Sequence, residues 1–121
     1  RDGVIEMKYL KNDKAPQFEP VKGVEMYLIG DGDNLTLIKM FIKPGSVFPN
    51  HSHPNEQVGT CMAGEAMLTS DGVPIDVRPG VTWTIPPGEE HSLVAGGDTD
   101  IVIYEAWSPP REDYRALAKE S

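Results

Sequence analysis

The sequence predicts an all-β fold that ends in one short helix. Its 121 residues include 12 Gly and 11 Pro, spread at intervals, a pattern typical of many short strands separated by turns. Several predicted strands, such as residues 35–42, are apolar on both faces, as expected for strands buried between two sheets or inside a barrel. Helical composition is confined to residues 111–120, where Tyr114, Leu117 and Ala118 form one apolar stripe.

The predicted strands follow one another along the chain, and turn residues separate them. Asp71-Gly72 suits a two-residue type I′ hairpin, because that turn needs positive φ at both positions. Ser108-Pro109-Pro110 ends the last strand, and the helix that follows is expected to cover part of the barrel. In chain order the strands are predicted at residues 4–10, 24–29, 35–42, 47–53, 57–62, 66–69, 74–77, 81–85, 91–93 and 100–107.

Charge and composition exclude several classes of function. A net charge of −8 repels phosphate backbones and anionic lipids, so we expect neither a nucleic acid nor a membrane as partner. No apolar run approaches the roughly 20 residues of a membrane span, and the first residues, RDGV, lack the apolar core of a signal peptide. Cys61 is the only cysteine, so an oxidising compartment is not indicated. We therefore expect one cytoplasmic domain over residues 1–121.

The three histidines of the chain, His51, His53 and His91, all lie beside predicted turns. On a strand, residues two apart face the same side, so His51 and His53 share one space. They are either a polar pair on an outward surface or, if they face inward among apolar neighbours, ligands of a shared metal that satisfies both rings. His91, which follows the strand end and tight turn at residues 85–90, favours the metal.

The spacing of these residues resembles the two motifs of the cupin family. The first motif reads G-SVFPN-HSH-PNE-Q-VGTCMA-G from Gly45 to Gly64, and the second reads G-VTWTI-PPG-EE-H-SLV-A from Gly80 to Ala95. Gln57 stands where the family pattern has Glu, and Ala95 stands where it has Asn. The resemblance implies a double-stranded β-helix, the cupin or jelly-roll barrel, with one divalent metal in its mouth.

Glu56 and Gln57 are adjacent candidates for the fourth metal ligand. A carboxylate is the stronger ligand, but Gln57 shares the parity of the two histidines, provided that residues 54–55 do not break the strand. The cupin spacing also selects Gln57. A neutral ligand set leaves the full charge on a divalent Zn, Ni, Fe, Mn or Cu ion, which then attracts oxygen-rich anions. The predicted ligands are His51, His53, Gln57 and His91.

The same parity places Gly59 and Cys61 beside the predicted metal. Gly59 leaves room above it, and Cys61 is a pocket residue, a soft ligand or a small buried hydrophobe. Glu105 lies among apolar residues of the last strand. It is therefore either buried with a raised pKa, fit for proton transfer, or exposed at the rim. Trp83 is interpreted as a core residue.

The segment EAWSPPREDY, which begins at Glu105, resembles the C-terminal end of the pectin-degradation cupins. Those enzymes use a His/His/Gln/His metal site to open cyclic unsaturated uronates. The resemblance implies that Glu105 moves protons, that Arg111 pairs with a substrate carboxylate and that Trp107 serves the substrate. The family carries Asp and Phe where this chain has Glu105 and Trp107, which changes the reach of the acid and the shape of the pocket.

Three functions follow from these residues. The favoured one is a metal-dependent enzyme of isomerase or lyase type, acting on a small oxygenated anion such as a sugar acid. A cupin dioxygenase and a non-catalytic module that binds a small ligand are the alternatives. The habit of small cupins implies a homodimer, with residues 4–10 as the candidate exchanged strand.

Overall fold

The computed structural model describes residues 6–120, which form two antiparallel sheets and one helix. One sheet has six strands, in the order β1 (Gln17–Val21), β2 (Val24–Asp31), β3 (Thr36–Ile42), β10 (Ile101–Ser108), β5 (Glu56–Ala63) and β8 (Thr82–Ile85). The other has four, in the order β4 (Val47–His51), β9 (His91–Ala95), β6 (Ala66–Ser70) and β7 (Val73–Val77). A 3-10 turn spans Asn12–Lys14, and helix α1 spans Glu112–Lys119.

The core consists of the inward side chains of the strands. Side chains in β10 alternate between buried and half-exposed along almost its whole length, as expected for a strand with one face toward a core. The strands that contain proline, β1, β4 and β7, are all edge strands, where the missing N–H breaks no internal ladder. The most deeply buried aliphatic side chains are Val24, Met26, Ile38, Ile42, Val77, Ile101 and Ile103. The predicted all-β fold of two packed sheets is confirmed.

The hairpin between β6 and β7 has the predicted turn. Asp71 has a φ of 50° and Gly72 a φ of 76°, as a type I′ turn requires. A single aspartate tolerates the left-handed region better than most residues do, and glycine adopts it without steric cost. The prediction of this turn from its two residues is confirmed.

The predicted strand at residues 4–10 is wrong. Residues 6–10 form no strand, and the side chains of Met7 and Tyr9 are 86% and 87% exposed, while residues 4 and 5 lie outside the described part of the chain. The first strand is β1, where Phe18 is buried and pairs in register with Met26 of β2. Residues 4–10 and β1 both contain strand-forming residues, and β1 is the segment that forms a strand because it pairs with β2.

The C-terminal helix covers one end of the barrel. Tyr114 and Ala118 of α1 are buried, and the Tyr114 ring lies 5.5 Å from the ring of Phe18. The predicted short closing helix is confirmed, two residues shorter than expected. Within residues 6–120 no helix has the length and apolar content needed to cross a membrane.

Candidate metal centre and active site

The three histidines meet between the two sheets. His51 ends β4 and is the cross-strand partner of His91, which begins β9. His53 follows in the connection to β5, and its ring centroid lies 5.7 Å from that of His51 and 5.0 Å from that of His91. One ligand atom of each ring lies within 4.8 Å of the others. The three rings therefore form one group able to hold a metal ion.

Backbone carbonyl groups fix the tautomer of all three rings. A carbonyl oxygen only accepts, so a hydrogen bond to it places the ring proton on Nδ1 and leaves the lone pair on Nε2. The Nε2 atom of His91 is buried and has no hydrogen-bond partner within residues 6–120. The contacts are from His51 Nδ1 to Pro49 O at 2.7 Å, from His53 Nδ1 to Asn55 O at 3.1 Å and from His91 Nδ1 to Glu89 O at 2.9 Å.

Gln57, and not Glu56, faces the histidines. Residues 52–55 lie outside any strand, so the parity that Gln57 shares with His51 and His53 is interrupted, and a new alternation begins at Glu56 in β5. Glu56 is exposed, whereas Gln57 is 5% exposed. The Oε1 atom of Gln57 lies 2.9 Å from the Nε2 atom of His53. The structure thus brings together all four predicted ligands.

The contacts of the His53 ring are those expected if its Nε2 atom binds a metal cation. Its two ring nitrogens each face an acceptor, Asn55 O and Gln57 Oε1, but a neutral imidazole has one proton. A second proton is disfavoured because burial, together with the charge of Arg111, lowers the pKa of His53 to about 4. A metal at Nε2 removes the mismatch, since adjacent ligands at about 2.1 Å from one ion lie roughly 3 Å apart. The four side chains therefore suit a divalent transition metal.

Glu105 is buried in the barrel and does not lie at the rim. In the six-stranded sheet, Gly59 of β5 is paired with Glu105 on one side and with Trp83 on the other. The Oε2 atom of Glu105 accepts a short hydrogen bond from Gln57 Nε2 and one of 3.1 Å from Trp83 Nε1. Burial raises the pKa of Glu105 to about 7, although these donors and Arg111 oppose the shift. The carboxyl group can thus hold or release a proton near neutral pH.

This buried carboxyl group predicts a pH dependence of stability. The folded chain keeps the Glu105 proton to a higher pH than the unfolded chain, so Glu105 lowers stability as pH rises from 4.5 to about 7. Burial lowers the pKa of both His51 and His53. Their contribution to the free energy of unfolding therefore increases as pH rises over the lower part of that range. The comparison that isolates Glu105 is therefore between the wild type and Glu105→Gln at each pH.

In metal-free protein, we expect the stability of Glu105→Gln relative to wild type to increase by about 3 kcal/mol between pH 4 and pH 8. Urea unfolding in the presence of a chelator measures this difference. A difference that stays constant across the range would show that Glu105 titrates normally.

Arg111 offers one free hydrogen-bond donor to the site. Its Nε and Nη2 atoms donate to the carboxylate of Asp113 at 3.0 and 2.8 Å, and its guanidinium lies 3.9 Å from the centroid of the Tyr114 ring. The remaining Nη1 atom is buried without a hydrogen-bond partner in the described chain. A buried donor without an acceptor lowers the free energy of unfolding. A bound carboxylate would satisfy it, because a carboxylate is the preferred partner of a guanidinium.

One cavity of about 30 Å³ joins these groups. A space of this size holds one or two water molecules, so it admits the reacting end of a substrate and not a whole sugar ring. Its polar lining comes from His51, His91, Gln57, Ser92, Glu105, Arg111 and Tyr114, and its apolar lining includes Phe48, Leu93 and Trp107.

Gly59 and Cys61 do not line this cavity. A Cβ atom on Gly59 would lie 2.4 Å from Trp83 Nε1, so the room above the glycine is filled by the indole. Cys61 is 2% exposed in the core, and its Sγ–H donates to Ala63 O at 3.3 Å. Trp83 is 6% exposed and belongs to the core, as interpreted from the sequence. It also lines the cavity and donates to Glu105, a contact that the sequence did not indicate.

Asn55 is a further residue of the site that the sequence did not reveal. It is 6% exposed, and its Nδ2 donates to Pro109 O at 2.6 Å, while its own carbonyl oxygen accepts from His53. It thereby joins the turn that carries His53 to the segment before Arg111. Its position between two predicted strands was the only signal, and many asparagines in such connections have no such role.

The sequence is similar to those of two proteins of known name. H2HPP isomerase from Bacillus subtilis is 33% identical over 76 residues, which cover 63% of this chain and 32% of that protein. Auxin-binding protein ABP19b from Prunus persica is 31% identical over 104 residues, which cover 79% of this chain and 44% of that protein. The chain thus spans less than half the length of these curated relatives.

Solved structures share the fold over most of the chain. An RmlC-like cupin from Shewanella frigidimarina matches with a TM-score of 0.81 and 23% identity, covering 90% of this chain and 96% of that one. KdgF from a Halomonas species matches with a TM-score of 0.81 and 21% identity, covering 88% and 99%. The double-stranded β-helix predicted from the two motifs is confirmed. Residues 38–107, which contain both motifs, match the cupin domain, and the chain belongs to the cupin family.

Proposed function

We propose that this cupin is a metal-dependent enzyme of isomerase or lyase type that acts on a small oxygenated anion. One observation carries the proposal. The three histidines and Gln57 meet beside the buried carboxyl group of Glu105. Arg111, whose Nη1 has no hydrogen-bond partner within residues 6–120, lines one cavity with an apolar wall together with Glu105, Gln57, His51 and His91.

The protein groups have separate roles in this proposal. Arg111 Nη1 binds a carboxylate of the substrate and orients it, because that nitrogen makes no hydrogen bond of normal geometry within residues 6–120. Glu105 gives or takes the proton that an isomerisation or elimination moves, and its pKa of about 7 suits both directions. His51, His53, His91 and Gln57 would hold a divalent ion, which would supply Lewis-acid chemistry to the site. The apolar wall excludes water around these groups.

A sugar acid is the first substrate class to test. The resemblance of the segment at residues 105–114 to the pectin-degradation cupins favours a cyclic unsaturated uronate. The name of the relative H2HPP isomerase supports the isomerase type of reaction. Because the cavity holds only small groups, the reacting end of such a molecule would enter and the rest of the ring would stay at the mouth.

A second candidate function is the binding of a small anion without turnover. The name of the relative ABP19b, an auxin-binding protein, supports it. Arg111 and the metal would then serve affinity alone, and replacing Glu105 would change binding but no rate. Measurement of turnover together with binding therefore separates the two candidates.

We expect metal-loaded protein to speed the loss of absorbance of 4,5-unsaturated galacturonate above the spontaneous ring opening. Glu105→Gln should lower kcat by roughly 10²-fold or more, because a general acid or base contributes that much. Arg111→Met should act mainly on KM, because it removes the partner of the carboxylate. Steady-state kinetics at several substrate concentrations separate the two effects.

The matched control is Glu56→Gln, which makes the same chemical change at an exposed position, and its kcat and KM should equal those of the wild type. No acceleration by metal-loaded wild type would contradict the sugar-acid reaction. Binding of the uronate without turnover would favour the second candidate.

A further inference from the structure

Trp107 lies directly opposite the predicted ligand Gln57. The two residues are cross-strand partners in the pairing of β10 with β5, and the Trp107 side chain is 2% exposed. The indole Nε1–H of Trp107 donates to Gln57 Oε1 over 3.0 Å. An indole N–H has no acceptor capacity, so this contact identifies the side of the amide that carries the oxygen.

The Gln57 amide is held at both ends. Its Nε2 donates to Glu105, and its Oε1 accepts from Trp107. An amide oxygen has two acceptor positions, and the second faces His53 Nε2 at 2.9 Å. A flipped amide would set its NH₂ against the indole N–H and its oxygen against the carboxylate, so the network permits a single orientation.

We infer that Trp107 is a positioning residue that presents the oxygen of Gln57 to the metal, and that it does not serve primarily as a substrate contact. The inference rests on the metal site of the proposed function. Phenylalanine at this position could keep the ring contacts that Trp107 makes with Tyr114 at 5.5 Å and with Arg111 at 5.4 Å. It could not donate to the amide, so the indole nitrogen is the atom that matters.

Trp107→Phe tests the inference through metal affinity and not through turnover. In titrations of the full chain with Co²⁺, we expect affinity to fall roughly 10- to 100-fold, the usual cost of losing a partner of a metal ligand. The visible spectrum of the bound Co²⁺ should shift toward that of Gln57→Ala. Tyr104→Phe is the matched control, because Tyr104 is an aromatic residue on the opposite face of the same strand β10, and it should bind Co²⁺ like the wild type.

A double-mutant cycle separates orientation from packing. In a Gln57→Ala background, Trp107→Phe should cost no further affinity, because there is no amide left to orient. An equal loss in both backgrounds would overturn the inference in favour of packing, as would an equal loss in Tyr104→Phe. Failure of the wild type to bind Co²⁺ would instead refute the metal site itself.

The indole N–H signals give a second test that follows the Trp107 hydrogen bond directly. The chain has two tryptophans, so the Trp83→Phe spectrum assigns the two indole N–H signals in a ¹H–¹⁵N experiment. On addition of Zn²⁺, the Trp107 indole signal should move, since its acceptor oxygen binds the metal, and Gln57→Ala should abolish the movement. A Trp107 indole N–H signal that does not move at saturating Zn²⁺ would contradict the role of Trp107 in positioning Gln57.

Discussion

Replacing His53 with Ala is expected to abolish stoichiometric metal binding. His53 supplies one of three converging Nε2 atoms, and its ring is also the contact between the histidine group and the oxygen of Gln57. Its removal leaves two histidines and a neutral amide, a weaker set of ligands than the three histidines, or two histidines and a carboxylate, of open zinc sites. Elemental analysis after dialysis against a weak chelator should find one ion per chain in the wild type and a trace in the variant, while circular dichroism shows an unchanged fold.

Glu56→Ala is the control for this loss. Glu56 is adjacent to the predicted ligand and is the stronger ligand chemically, but its side chain is exposed on the outer face. The variant should keep its full metal content. Metal retained by His53→Ala would place the site elsewhere, and metal lost from Glu56→Ala would overturn the choice of Gln57.

Replacing Gly59 with Ala is expected to destabilise the metal-free protein by about 3 kcal/mol, the upper part of the range for overpacking a core. The new Cβ would lie 2.4 to 2.6 Å from three atoms of the Trp83 indole. The indole is rigid, and β5 is held by β10 on one side and β8 on the other, so neither backbone nor ring yields easily. Urea unfolding at a single pH measures the loss.

Val58→Ala is the matched control, since Val58 is on the same strand, faces outward and is 41% exposed. A surface change of this kind costs roughly 0.5 kcal/mol or less. In a Trp83→Leu background, Gly59→Ala should cost much less than it does in the wild type, because the clashing ring is gone. Equal costs in both backgrounds would show that the strain does not arise from the indole.

The inward position of Gln57 was predictable from the motif spacing. The parity shared with His51 and His53 would not have been enough, because residues 52–55 leave the strand and β4 and β5 belong to different sheets. The meeting of these residues with His91 was predictable from motif spacing, which encodes the turns between strands. Both predictions depend on short stretches of chain.

The hydrogen bonds of Glu105 were not predictable in the same way. They depend on the register that brings Gly59, Trp83 and Glu105 side by side on three strands, and a slip of one residue would turn each side chain to the other face. The choice of β1 over residues 4–10 also depended on a pairing, between Phe18 and Met26. Strand propensity alone could not settle either arrangement.

Asn55 couples the two ends of the site, because it contacts both His53 and the segment before Arg111. Its backbone carbonyl holds the His53 ring, and its amide nitrogen lies 2.6 Å from Pro109 O and 3.3 Å from Pro110 O. Substitutions that reshape the segment before Arg111 to fit another substrate therefore also disturb the ring of His53, a predicted metal ligand. In the divergence of related sequences, we expect position 55 and positions 109–110 to be substituted together, so that new specificity arises by paired changes.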